Sequence, residues 1–76
     1  MNYNSLKLKD ELLYELIFSD KENYNIDISY YVDDMYKYDD LINEIRSILK
    51  KSNVKIVKDK IDINSKTANW YLKINK

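Results

Sequence analysis

The hydrophobic pattern of this chain changes its period once, near Asn53, and that change limits the folds open to it. Before this point, apolar residues recur every three or four positions, as they do on the buried side of a helix. After it, VKIVKDKIDI and ANWYLKI are rich in β-branched and aromatic residues, which favour strands. Because 76 residues suffice for only one domain, these helices and strands must share a single small core.

Three helices are predicted before the change of period. The first spans residues 6–18, where leucine recurs every four positions. A short second helix is predicted over residues 28–36, and a third over 39–51 carries the strongest amphipathic stripe of the chain. Residues 26–28 could form a brief strand before the second helix. The candidate N-caps of the three helices are Ser5, Asp27 and Asp39.

A β-hairpin with its turn at residues 64–67 is predicted for the C-terminal part, and Asn64 is suited to a left-handed conformation there. The expected facing pairs are Ile63 with Ala68, Ile61 with Trp70, and Val57 with Ile74. Because the apolar residues of the first strand change phase, that strand should bulge within residues 57–59. The predicted core is Leu12, Leu16, Ile17, Val32, Ile42, Ile45, Leu49, Ile61, Trp70 and Leu72.

From Ile28 to Ile74 the sequence resembles winged helix-turn-helix families, among them bacterial transcription regulators. LINEIRSIL is similar to their third helix, VKIVK to the strand that follows, and WYLKI to their closing aromatic strand. The resemblance implies an α+β, winged-helix-like domain of three helices followed by a β-hairpin. Two features depart from it. Asn69 stands where glycine is usual, and the third helix begins with acidic residues where Arg, Ser, Thr or Gln is usual.

Charge is divided unevenly along the chain, although the formal net charge is zero. Residues 1–50 contain eleven Asp or Glu against six Lys or Arg, whereas residues 51–76 contain seven Lys against two Asp. An acidic third helix would be repelled by the phosphates that supply much of the affinity for DNA. A small DNA-binding regulator nevertheless remains the alternative function. Its nucleic-acid-binding residues would be Asn43, Arg46, Ser47, Lys50, Lys58, Lys60 and Lys66.

Five tyrosines crowd into residues 24–38, interleaved with aspartates. A short helix can bury only one side, so several of these rings should be exposed unless they fill the core. Exposed tyrosine beside carboxylates suits a basic protein partner, since tyrosine is enriched at interface centres and negative charge steers positive surfaces. The predicted partner-binding residues are Asp33, Asp34, Tyr36, Tyr38, Asp39, Asp40, Asn43 and Glu44.

Catalysis and metal binding are not expected from this set of residues. The chain has no His and no Cys, no Gly-rich phosphate loop and no paired nucleophile and base, so we expect neither an enzyme nor a cofactor. The Asp33-Asp34 and Asp39-Asp40 pairs lack the spacing of a calcium loop. No signal peptide or membrane-spanning segment is evident, and the absence of Cys fits a cytoplasmic protein.

The composition also bears on the source of the chain. It has twelve Lys, nine Asn, ten Ile and eight Tyr but no Gly or Pro, which is the usage expected of an AT-rich genome. In size and composition the chain is similar to phage and mobile-element anti-defence proteins such as anti-CRISPR proteins. We therefore expect a small DNA mimic that binds and inhibits a host nucleic-acid-binding protein in the host cytoplasm.

Overall fold

A computed structural model describes the backbone of residues 2–76 and the side chains of residues 8–76. The helices are α1 (Asn2–Phe18) and α2 (Tyr38–Lys51), and the strands are β1 (Asn23–Asp27), β2 (Lys55–Ile63) and β3 (Ala68–Asn75). Two 3-10 turns, Ile28–Tyr30 and Met35–Lys37, lie between β1 and α2. The predicted α+β class is confirmed.

The three strands form one antiparallel sheet in the order β1-β3-β2, so β3 is central. The hairpin turn lies at residues 64–67 as predicted, but Asn64 does not adopt a left-handed conformation. Its side-chain oxygen instead accepts hydrogen bonds from the backbone N–H groups of Lys66 and Thr67, at 2.8 and 2.9 Å. Among the described residues only Asn53 has a positive φ, of 62°. The asparagine side chain therefore closes this turn without the unusual backbone angle.

The register of the hairpin agrees with the sequence near the turn and differs away from it. Ile63 pairs with Ala68 and Ile61 with Trp70, as predicted. Val57 does not pair with Ile74, because the register shifts between Ile56 and Lys58 and Ile56 takes that place. The shift confirms the predicted bulge and leaves Val57 as its extra, exposed residue.

The predicted second helix, over residues 28–36, is not formed. The Asp27 side chain accepts hydrogen bonds from the N–H and hydroxyl groups of Ser29, at 3.1 and 2.6 Å, and the Asp34 side chain accepts one from the Tyr36 N–H, at 2.9 Å. Each carboxylate satisfies the backbone of a short 3-10 turn, in competition with a continuous helix. With two α-helices in residues 2–76 where three were predicted, the winged-helix arrangement is not matched and this part of the chain contains no helix-turn-helix.

Of the predicted N-caps, Asp27 caps the first 3-10 turn, whereas the two α-helices do not start at Ser5 or Asp39. Helix α1 begins at Asn2, so Ser5 lies inside it, and the Ser5 side chain is outside the described part of the chain. Helix α2 begins at Tyr38, and its cap position, Lys37, makes no side-chain hydrogen bond. Asp39 therefore lies in the first turn, where its charge still interacts favourably with the helix dipole.

The end of α2 directs the chain into β2. The N–H of Val54 donates to the carbonyl of Leu49 at 2.9 Å, and the N–H of Asn53 donates to that of Lys50 at 3.2 Å. This hydrogen-bond pattern, with Asn53 in the left-handed conformation, is a Schellman motif. Leu49 and Val54, which the motif brings together, are both buried. A helix can thus end sharply in a chain without glycine.

The core lies between the helices and one face of the sheet. The inward residues of β3 are Ala68, Trp70, Leu72 and Ile74, and they pack with Leu12, Leu16, Ile42, Ile45 and Leu49. Seven of the ten predicted core residues are buried, and Ile17 and Val32 are partly buried. Ile61 is 38% exposed, contrary to prediction, because it lies on the edge strand β2. The core also contains residues that were not predicted: Tyr24, Ile26, Ile28, Leu41, Val54, Ala68 and Ile74.

Candidate functional site

Most of the predicted partner-binding residues lie on one short stretch of the chain, residues 33–40. This stretch comprises the bend before the second 3-10 turn, the turn itself and the first residues of α2. Asn43 and Glu44 follow one helical turn later on α2. All eight predicted residues are exposed except Tyr38, which is partly buried against the core. We call the exposed residues of this stretch, together with Tyr30, the acidic surface; its carboxylates are Asp33, Asp34, Asp39 and Asp40.

Large apolar groups accompany the carboxylates of the acidic surface. Tyr36 is 88% exposed, Met35 60% and Tyr30 61%. A helix over residues 28–36 would place Met35 on one face with Ile28 and Val32. Because that helix is not formed, Met35 is exposed. The available sequence signal for the 3-10 turns was an Asp immediately before each turn, Asp27 and Asp34, whose side chain accepts from the backbone N–H two residues later.

Tyr31 anchors the first 3-10 turn beneath this surface. It is partly buried, and its ring meets that of Tyr30 edge to face with 5.3 Å between centroids. Burial raises the pKa of Tyr31, and the ionisable Tyr30 and the carboxylates of Glu15, Asp27 and Glu11 raise it further. Carboxylates at the end of β1 and on α1 thus lie close enough to Tyr31 to act on it.

Glu44 contributes less to the negative field than the sequence suggested. Its carboxylate accepts two hydrogen bonds from the Lys9 ammonium group, at 2.9 and 3.1 Å, so α1 and α2 are joined by an ion pair. Lys9 and Lys37 line a groove beside Asp40 and Glu44. The uncompensated charge therefore lies toward the 3-10 turn and the start of α2, where Asp33, Asp34 and Asp39 are exposed.

Arg46, predicted as a nucleic-acid-binding residue, is held within the fold. Its guanidinium donates to the Asp59 carboxylate at 2.5 Å and lies 5.8 Å from the Trp70 ring centroid. The Trp70 indole N–H donates to the same carboxylate oxygen at 2.9 Å. The hydrogen bond from Arg46 lowers the pKa of Asp59, and the bond from Trp70 adds to that effect while partial burial opposes it. Arg46 thus joins α2 to the sheet, a role that its position on α2 did not reveal.

The other residues of the alternative set do not form one surface. Asn43, Ser47 and Lys50 are exposed on α2. Lys58 and Lys60 alternate with the inward-facing Asp59 and Ile61, so they lie on the opposite, uncovered face of the sheet. Lys66 lies in the hairpin turn. The structure therefore divides the predicted nucleic-acid-binding residues between the helical side, the sheet face and the hairpin tip.

No protein-family model, curated protein or solved structure matches the chain. Within the described residues, no group of three or more His, Cys, Asp or Glu side chains is placed to hold a metal ion. None of the described helices has the length and hydropathy needed to cross a membrane. The exposed surfaces therefore carry the available information on function.

Proposed function

We propose that this protein binds a partner protein through the acidic surface and inhibits it by covering a basic, nucleic-acid-binding site. The observation that carries the proposal is the exposure of Tyr30, Met35 and Tyr36 within the same segment as Asp33 and Asp34. Large apolar side chains leave water when they become covered, and tyrosine is common at the centres of interfaces. The exposed apolar groups provide contact area that a solvated acidic face alone would lack.

The charge of this surface defines the kind of partner. Asp33, Asp34, Asp39 and Asp40 are exposed in the same stretch as the Tyr36 ring and carry negative charge, as phosphates do. Such a field attracts a groove lined by lysine and arginine and raises the rate of encounter with it. The mode of action would be that of an anti-CRISPR-like inhibitor encoded by a phage or mobile element and acting in the host cytoplasm. Size and composition support this comparison.

A winged-helix transcriptional regulator has less support. Such a regulator would place a recognition helix in the major groove with positively charged residues toward the phosphates. Here α2 begins with Asp39 and Asp40, and Arg46 is bonded to Asp59. Nucleic acid remains a weaker candidate partner than a basic protein for the helical side of the molecule.

The test is affinity capture from a nuclease-treated lysate of a low-GC bacterium, followed by competition with a short DNA duplex. We expect the protein to retain a nucleic-acid-binding protein, and we expect added duplex or moderate salt to release it. Replacing Asp33, Asp39 and Asp40 by Asn should abolish capture. The matched control replaces Asp10, Asp20 and Asp62, which are exposed elsewhere, by Asn and should leave capture unchanged.

The apolar part of the surface has its own pair of variants. Tyr36→Ser should weaken capture strongly, whereas Tyr14→Ser, which alters another exposed tyrosine on α1, should not. Circular dichroism should report a folded domain for every variant. Retention of the partner by the Asp33, Asp39 and Asp40 variant, or equal losses in both acidic triples, would contradict the proposal.

A further inference from the structure

One face of the sheet is not covered by either of the described helices, and its residues lie in ordered rows. β3 runs through the centre, with β1 on one side and β2 on the other, so each outward residue of β3 has two neighbours. One row is Asn23, Lys73 and Lys58, the next is Asn25, Tyr71 and Lys60, and the third is Asp27, Asn69 and Asp62. Two adjacent rows thus combine lysine, asparagine and tyrosine, and an acidic row bounds them at the hairpin end.

Lys58 and Lys73 lie directly opposite each other on paired strands. Like charges in this arrangement repel and destabilise a sheet. Among the described residues, the ion pairs are Lys9 with Glu44 and Arg46 with Asp59, so neither Lys58 nor Lys73 is neutralised by one. The other residues of the sheet favour folding, and this pair of lysines does not. Such an exception is expected where a surface has a function, such as binding a ligand. The ligand that would relieve this repulsion is an anion.

Tyr71 gives this basic surface an aromatic centre. It occupies the middle of its row, between Asn25 and Lys60, and is 41% exposed. Together with Asn23, Lys58 and Lys73 it lines a shallow depression on the sheet face. A ring in this position offers a stacking surface to a nucleobase, while the lysines lie within one row of it to contact phosphates. The asparagine side chains can donate to and accept from base edges.

We propose that this open sheet face binds single-stranded nucleic acid through Tyr71 and the lysines Lys58, Lys60 and Lys73. A flat face with a central aromatic residue suits unpaired bases, which are free to stack, whereas the bases of a duplex are already stacked on one another. An acidic protein would also be attracted by the lysines, so the test includes an acidic peptide beside the oligonucleotide. The binding is independent of the proposed protein interaction, which uses carboxylates and tyrosines on the helical side.

The test is fluorescence anisotropy of a labelled 12-nucleotide oligo-dT titrated with the 76-residue chain at about 50 mM and higher salt. Three phosphate contacts predict that the logarithm of affinity falls with the logarithm of salt with a slope of about −2 for a single strand. The Lys58→Gln, Lys73→Gln double variant should reduce that slope by about 1.4 and weaken binding at least roughly tenfold at low salt. Tyr71→Ser should weaken binding by about tenfold, and Tyr71→Phe should preserve it.

Matched controls separate this site from diffuse attraction. The Lys37→Gln, Lys51→Gln double variant removes the same charge from exposed positions outside the sheet. Tyr14→Ser removes an exposed ring from α1. Neither variant should reduce oligonucleotide binding by more than about twofold. Because it removes the repulsion between opposed lysines, the Lys58→Gln, Lys73→Gln variant should also unfold at a higher urea concentration. This gain would show that its loss of binding does not reflect misfolding.

Three results would overturn the inference. One is the absence of single-strand binding even at low salt. Another is an equal loss in the two double-lysine variants, which would indicate attraction without a defined site. The third is binding of a polyglutamate peptide as tight as that of the oligonucleotide and unaffected by Tyr71→Ser, which would assign the face to an acidic protein. Failure to capture a partner protein through the acidic surface would leave the oligonucleotide measurements unchanged, because they use the purified chain alone.

Discussion

Two regions of this small protein are built by different interactions. The first, which we call the packed region, is α2 with the β2–β3 hairpin, where main-chain ladders and buried residues such as Ile45 and Trp70 fix each position. The second is the connecting segment, residues 28–37, whose two 3-10 turns depend largely on the side chains of Asp27 and Asp34. Stability is therefore concentrated in the packed region, while the connecting segment presents Tyr30, Met35 and Tyr36 to solvent.

The largest expected loss of stability comes from creating a cavity in the packed region. Ile45 is fully buried, and Ile45→Ala should lower the free energy of unfolding by about 2 to 5 kcal/mol. A domain of this size has a total stability of about 4 to 11 kcal/mol, so the variant would be near the limit of folding. Urea denaturation followed by the fluorescence of Trp70, the single tryptophan, measures the loss.

Ile61→Ala is the matched control for this prediction, since it removes the same atoms from a residue that is 38% exposed. Its cost should be about 1 kcal/mol, well below that of Ile45→Ala. Ile45→Val, expected to cost about 0.5 to 1.5 kcal/mol, provides a milder variant if Ile45→Ala does not fold. Equal costs at the two positions would mean that Ile61 is as buried as the sequence pattern suggested.

The same comparison explains how much of the fold could be predicted. The stripe on α2 and the alternation on β3 repeat over several residues, so the predicted Ile45, Leu49 and Trp70 are all buried. The second helix was predicted from one turn of apolar spacing, and this signal was outweighed by the local hydrogen bonds of Asp27 and Asp34. Periodic patterns predict packed elements well, whereas short segments depend on single side-chain contacts.

The candidate site was predictable in composition and less so in arrangement. The sequence identified the acidic residues 33–40, but the exposure of Met35 followed only from the missing helix. Arg46 was predicted to contact nucleic acid, but it is bonded to Asp59. The sequence did not indicate this pair, because Asp59 lies thirteen residues away on an edge strand. Charge at a position is visible in a sequence. Whether that charge is already neutralised depends on tertiary contacts, which residue spacing does not predict.

A smaller effect should come from the link between α2 and the sheet. Asp59 accepts hydrogen bonds from Arg46 and Trp70, so Asp59→Asn should lower the free energy of unfolding by about 1 to 2 kcal/mol at neutral pH. The loss should be smaller than for a fully buried ion pair, because both charged groups are partly exposed. The pKa of Asp59 is lowered, chiefly by the bond from Arg46. Its contribution is therefore complete above the ordinary pKa of an aspartate, near 3.8, and is lost as pH falls below that value through the folded-state pKa.

Urea titrations of the native protein and of Asp59→Asn at a series of pH values measure this effect. The difference in stability between them should be constant from neutral pH to about pH 5 and should shrink below about pH 4. Asp62→Asn, an exposed position on the same strand, is the control and should show little change. A difference that persisted undiminished at the lowest pH would mean that the charge of Asp59 is not what holds Arg46 and Trp70 together.

The smallest effect is expected in the connecting segment, at its most exposed ring. Tyr36 is 88% exposed, so Tyr36→Ala should change the free energy of unfolding by no more than about 0.5 kcal/mol. Tyr24→Ala makes the same substitution at a buried tyrosine whose hydroxyl donates to the Glu15 carbonyl and bonds to Ser19, and it should cost about 3 to 5 kcal/mol. Urea midpoints of the two variants give the contrast directly. A loss above about 1 kcal/mol for Tyr36→Ala would mean that the ring packs onto the domain in solution, and the surface assigned to a partner would then be part of the fold.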